Sequence, residues 1–199
     1  HQFSLEHTLL LLAKQNADKP VVGASLPQRL AMMDTIAAAT DPPGSMLCGV
    51  TAYPLFVDKA TALRALCGPD ARVLIIVGFD TWVRIVDPKY YAANGGLERA
   101  LGQIFDCVEV VVASRDPASA SNLTPLSPEE QEAIVRELPT ELSRQRLHFL
   151  HNQPDMAPLS SSDARKAVAA GDDSKVHAIL PDCLIDFVDK EGIYKDPHM

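Results

Sequence analysis

The sequence predicts an α/β protein, a Rossmann-like, doubly wound parallel sheet in one domain covering residues 1–199. Three observations predict it. Five short apolar runs, each of strand length, alternate along the chain with segments of helical periodicity. Several of those helical segments open on recognisable capping residues. Apolar residues make up 47% of 199, enough for one well-buried core and short for two.

The elements follow in order. Residues 8–13 (TLLLLA) read as a strand buried on both faces, because the run is continuous rather than alternating. Ser25 with Gln28 forms a capping box, and Leu26, Leu30, Met33 and Ala37 continue it as a helical stripe. Asp41-Pro42-Pro43-Gly44 breaks the chain before a second strand at 46–52. Asp58 opens a helix through Leu63 and Leu66 that stops at Gly68-Pro69. Residues 72–77 (RVLIIV) are the best strand, rich in β-branched residues, and Asp80 stands just after it, placed to cap the next helix. A helix over 97–104 leads to a strand at 108–113, followed by a Pro/Ser-rich loop. Ser127-Pro128-Glu129-Glu130 is a second capping box. Residues 146–150 form the last strand. Pro181 opens a final helix that turns Leu184, Phe187 and Val188 inward and ends at Gly192. No internal repeat is present.

Charge and cysteine usage narrow the function classes. A net charge of −8 argues against a nucleic-acid or anionic-membrane partner, so any anion site must be a local positive island. No apolar run reaches the length of a membrane span. Cys48, Cys67, Cys107 and Cys183 are widely spaced without a C-x-x-C pair, which reads as buried, reduced thiols in a cytosolic or nuclear protein. His148 and His151 stand three apart on and after a strand. Their side chains therefore face opposite ways, and they read as structural or surface histidines.

The stretch with most chemistry is Leu159-Ser160-Ser161-Ser162-Asp163-Ala164-Arg165. Any of its serines can cap a helix whose first N–H groups would face an anion, and Ser162 and Arg165 share one face of a turn. A Ser-capped surface helix has the same appearance. In parallel sheets, however, ligands bind beyond the carboxyl ends of the strands. The loops predicted there hold Asn16 to Lys19, Gly78 to Asp80, Arg115-Asp116 and the serines, collecting Lys19, Arg115 and Arg165 in an acidic protein.

These residues resemble those of the nicotinamide mononucleotide adenylyltransferases, most closely the fungal branch, over roughly residues 8–196. Ser160 to Arg165 is similar to the family's I-S-S-T-x-I-R motif, with Ala164 in place of isoleucine. Gly78-Phe79-Asp80 is similar to its G-x-D motif. Asn16-Ala17-Asp18-Lys19 and Arg29-Leu30-Ala31-Met32 resemble its lysine loop and R-x-x-M helix, and residues 78–91 (GFDTWVRIVDPKYY) are the most fungal-looking block.

The resemblance implies transfer of AMP from ATP to nicotinamide mononucleotide, giving NAD and pyrophosphate, with Mg²⁺ and no covalent enzyme intermediate. It implies that Ser161, Ser162, Arg165 and Lys19 hold ATP phosphates, and that Gly78, Asp80 and Arg115 border the nucleotide. Trp82 is a candidate to stack on a base, although a lone Trp in a helix also suits a core. No residue is assigned as a metal ligand, and homo-oligomerisation is left open. Family members open with a strand, a G-x-F-N-P-P-type loop and an H-x-x-H motif. None of these lies between His1 and Leu9, so the sheet is expected to lack its first strand, with His1 read as the second histidine of that motif. Two alternatives are a nucleotide-binding protein with a regulatory or scaffold role and a sibling nucleotidyltransferase using another phosphorylated acceptor.

Overall fold

All five predicted strands form, each within two residues of its expected bounds and each parallel to its neighbour: β1 (Thr8–Ala13), β2 (Met46–Thr51), β3 (Leu74–Gly78), β4 (Glu109–Ala113) and β5 (Leu147–Leu150). The structure is a computed structural model that describes residues 3–14, 23–115, 125–153 and 159–195. The α/β class with parallel pairing is as predicted. The expectation of one continuous sheet is corrected: among the described residues β1 pairs with β2, and β3, β4 and β5 form a second ladder. β3 is an edge of that ladder rather than its centre. Strong β-propensity makes a strand but does not choose its neighbours, and Ile76 on β3 is 57% exposed. The described residues pack as two compact units, one from within 1–54 and 160–199, the other 55–159.

The 55–159 unit is built on β4. Val110, Val111 and Val112 are all buried, so both faces of the strand are covered. α4 (Leu97–Cys107) lays Ala100, Leu101, Ile104 and Phe105 on this core, a stripe at helical spacing. α3 (Phe79–Ile85) adds Phe79, Trp82 and Ile85, and α2 (Phe56–Cys67) adds Val57 and Ala60. Leu66 is exposed, because it lies half a turn round α2 from Val57. Arg64 ties the ends of both helices together: its guanidinium donates to Cys107 O at 2.9 Å and to Ala71 O at 2.7 Å. α5 (Pro128–Arg136) starts on the predicted capping box. Ser127 Oγ accepts from Glu130 N at 3.3 Å, and Ser127 N donates to the Glu130 carboxylate at 2.7 Å. α6 (Thr140–Ser143), a single turn after Pro139, left no periodic signal in the sequence.

In the other unit, α1 (Leu26–Ala38) starts on Ser25 and Gln28 as predicted and packs against β2. Thr40, just past its end, donates to Met46 Sδ at 3.7 Å. β1 was expected to be buried on both faces and is not. Leu9, Leu11 and Leu47 share one side of the β1–β2 ladder and all three are exposed, while α1 lies against the strand pair from the Met46 side. α7 (Ser161–Ala170), α8 (Asp173–Ile179) and α9 (Asp182–Glu191) complete the unit. The sequence reading passed over α8, whose cap is Asp172, accepting from Lys175 N at 3.1 Å. Leu184 and Val188 face inward from α9, and Gly192 ends it in the left-handed conformation, as predicted.

At the amino end of β4, Glu109 accepts both Arg72 Nε and Nη2, at 2.7 and 2.8 Å, and stands 2.8 Å from His148 Nε2. His151 instead meets Glu132, at 2.8 Å, so the two histidines hydrogen-bond to separate carboxylates. The Arg72 fork, with His148 beside it, holds the Glu109 carboxyl down from its ordinary 4.5 to about 2. A carboxyl with a lowered pKa contributes stability above its unfolded value and loses it as the pH falls toward its folded one. Glu109→Gln should therefore lose less stability than the natural chain between about pH 4.5 and pH 2, measured by denaturant titration at each pH.

Candidate functional site

The carboxyl ends of β3, β4 and β5 meet at one end of their ladder, because parallel pairing aligns them. β3 ends at Gly78, which is also the N-cap of α3. Asp80 was expected to cap that helix, but it sits inside the first turn, where Phe79 has already entered the core. Its carboxylate folds back over Gly78 and meets Arg115, just beyond the end of β4. Arg115 Nη1 stands 3.3 Å from Asp80 Oδ1. The two side chains remain 32% and 34% exposed, so the pair is open to a ligand.

This arrangement gives a reason for the G-x-D spacing. Gly78 has an ordinary φ of −73°, so backbone freedom is not what the glycine supplies. A Cβ there would stand 2.9 Å from Asp80 Oδ1. Glycine leaves the space into which the carboxylate folds, and the folded carboxylate lies within reach of Arg115.

Three further side chains hold the β4 and β5 exits, and the sequence pattern assigns none of them a role. Ser114 Oγ accepts from Asn152 N at 2.9 Å, and Ser114 O accepts from Asn152 Nδ2 at 2.6 Å. Gln131 on α5 accepts from Arg115 N at 2.9 Å and donates to Arg115 O at 2.8 Å. In the other unit, Arg29 donates from Nε to Ala24 O at 2.8 Å. Arg29 belongs to the R-x-x-M segment, which was the one signal pointing to it. Ser114, Gln131 and Asn152 left no signal, since their partners are main-chain groups distant in sequence.

In the unit that carries α7, Ser160 is the N-cap. Its Oγ accepts from Asp163 N at 3.1 Å and donates to Asp163 Oδ2 at 2.6 Å. This leaves Ser161 and Ser162 in the first turn, both exposed, with their N–H groups ahead of the first helical bond. Arg165 Nη2 donates to Ser162 Oγ at 3.1 Å, so the predicted turn-sharing pair is made. The Arg165 stem passes Gly23: a Cβ placed there would be 3.9 Å from Arg165 Cδ and 2.9 Å from the Tyr194 ring. Gly23 also has a φ of +89°, which a side chain would strain. Arg29 and the Arg165 stem thus both approach the Gly23–Ala24 backbone.

Two expectations need placing. Trp82 is corrected from a stacking surface to a core residue, 2% exposed among Phe79, Ile85 and their neighbours, with no ring face at the surface. Lys19 and His1 lie outside the described residues. Among the described residues there is no group of three or more His, Cys, Asp or Glu that could hold a metal ion, and no helix long and apolar enough to cross a membrane.

A comparison with known proteins now bears on these residues. The chain is 28% identical over 183 residues to a protein of Schizosaccharomyces pombe named "Putative nicotinamide mononucleotide adenylyltransferase", a match covering 90% of this chain and 72% of that one. The match to this relative runs along nearly the whole chain. It therefore does not rest on the serine–arginine and G-x-D motifs alone. The chain matches no protein-family model.

The capping geometry separates two roles that the serine run left merged. Ser160→Ala should lower stability by about 1 kcal/mol, because it removes the cap acceptor. Ser162→Ala should leave stability within about 0.5 kcal/mol of the natural chain. Chemical denaturation of both variants measures the difference.

Proposed function

We propose that this protein is a nicotinamide-nucleotide adenylyltransferase, moving AMP from ATP to nicotinamide mononucleotide to form NAD and pyrophosphate. The observation that carries the reading is the 183-residue match to a relative bearing that activity in its name. The local geometry supports it, since phosphoryl-type transfer needs positioning and charge neutralisation more than a protein nucleophile.

In this reading an oxygen of the mononucleotide phosphate attacks the α-phosphorus of ATP. A new P–O bond forms there as the bond to the β-phosphate breaks, and pyrophosphate leaves. Ser161, Ser162, Arg165 and Lys19 hold phosphate oxygens. The exposed hydroxyls and first-turn N–H groups supply neutral donors, and the Arg165 guanidinium supplies the charge. Gly78 and Asp80 border the nucleoside, where the carboxylate accepts from a ribose hydroxyl and Arg115 keeps it oriented. Mg²⁺, when bound, would supply neutralising charge to the phosphates during the transfer.

The deciding assay supplies ATP and nicotinamide mononucleotide to the protein and follows NAD and pyrophosphate, with other phosphorylated acceptors in parallel. NAD formation in preference to any other product is expected. Turnover of a different acceptor alone, or ATP binding without turnover, overturns the proposal. Arg165→Ala should weaken ATP binding on the order of tenfold or more, the worth of one charge-assisted contact. Arg165→Lys should recover part of that, since an ammonium lacks the guanidinium fork. Titrating ATP against both variants at several salt concentrations checks this, and unchanged affinity in Arg165→Ala would reduce the motif to a helix start.

A further inference from the structure

We infer that Gln131 is a positioning residue for the nucleotide site, acting through the main chain of Arg115; the inference rests on the reading of Asp80 and Arg115 given above. Gln131 is 3% exposed, and a buried carboxamide is costly unless its donors and acceptor are satisfied. All three of its hydrogen bonds go to main-chain groups. Oε1 accepts from Arg115 N at 2.9 Å, and Nε2 donates to Arg115 O at 2.8 Å and to Leu126 O at 2.9 Å. The paired bonds to one residue imitate the partner that a neighbouring strand would offer.

That imitation occurs where the ladder runs out. β4 pairs with β5 as far as Ala113 and Leu150, and Ser114 N still donates to Leu150 O at 2.8 Å. Beyond this, Asn152 takes the Ser114 carbonyl, and Gln131 takes both main-chain groups of Arg115. Arg115 is therefore held in register two residues past the end of β4, by a side chain sixteen residues later. Its guanidinium meets Asp80 from this fixed point. A half-exposed arginine loses less freedom on gripping a ligand when its backbone is already set.

The test is a double-mutant cycle on the full chain, with ATP as the probe. Gln131→Met keeps the length of the side chain and removes its hydrogen bonds. Gln131→Asn keeps the amide one methylene short, and serves where the methionine variant fails to fold. Each is combined with Arg115→Ala, and ATP affinity, KM, kcat and Tm are measured. We expect Gln131→Met to weaken ATP binding several-fold and raise KM more than it lowers kcat. In the Arg115→Ala background the same change should cost no further affinity, while the drop in Tm persists in both. Equal losses of affinity in both backgrounds, or a lower Tm with affinity intact, would overturn the positioning role and leave Gln131 a packing residue. If Arg115→Ala itself binds ATP as the natural chain does, the nucleotide reading falls and the positioning role with it. The two failures are thus told apart by the Arg115 single variant.

Discussion

Parallel pairing of β4 between β3 and β5 is the constraint on which the 55–159 unit depends. It buries the β4 valines on both faces, and so requires helices on each side. It also makes all three strands leave at one end. Gly78, Arg115 and Asn152 are far apart in sequence, and they become neighbours because three parallel strands stop together. An antiparallel arrangement of the same strands would have sent Asp80 and Arg115 to opposite ends.

The ionic groups divide along the same axis. At the amino end, Glu109, Arg72 and His148 form a saturated cluster in which the carboxylate has a guanidinium fork and an imidazole as partners. Such a cluster is fitted to hold strands together. At the carboxyl end, Arg115 Nη1 stands 3.3 Å from Asp80 Oδ1, and both side chains remain about one-third exposed. In the other unit, Arg29 and Arg165 both approach the Gly23–Ala24 stretch of backbone.

Local signals were read well where the physics is local. The Ser25–Gln28 and Ser127–Glu130 boxes appear atom for atom, and Gly192 ends its helix as glycine should. The block from Gly78 to Tyr91, which carried much of the family resemblance, is part surface and part core. Gly78 and Asp80 are at the surface end, whereas Trp82 and Tyr91 are buried. A motif in one dimension cannot show which of its residues point inward. The serine run illustrates the same limit, because all three hydroxyls fit a cap and the chain geometry selected Ser160.

What the sequence determined by itself was the alternation of five strands and capped helices, since apolar periodicity and cap chemistry act over a few residues. It also singled out the glycine, carboxylate, serine and arginine positions on which the proposed phosphate and nucleoside chemistry rests. Only the tertiary structure decided that β3 is an edge, that Leu9 and Leu11 stay exposed, and that Asp80 pairs with Arg115 instead of capping a helix. It alone brought Gln131 to the Arg115 backbone. These outcomes depend on which strands and helices become neighbours, and that choice is made by packing across long sequence separations, where no local pattern records it.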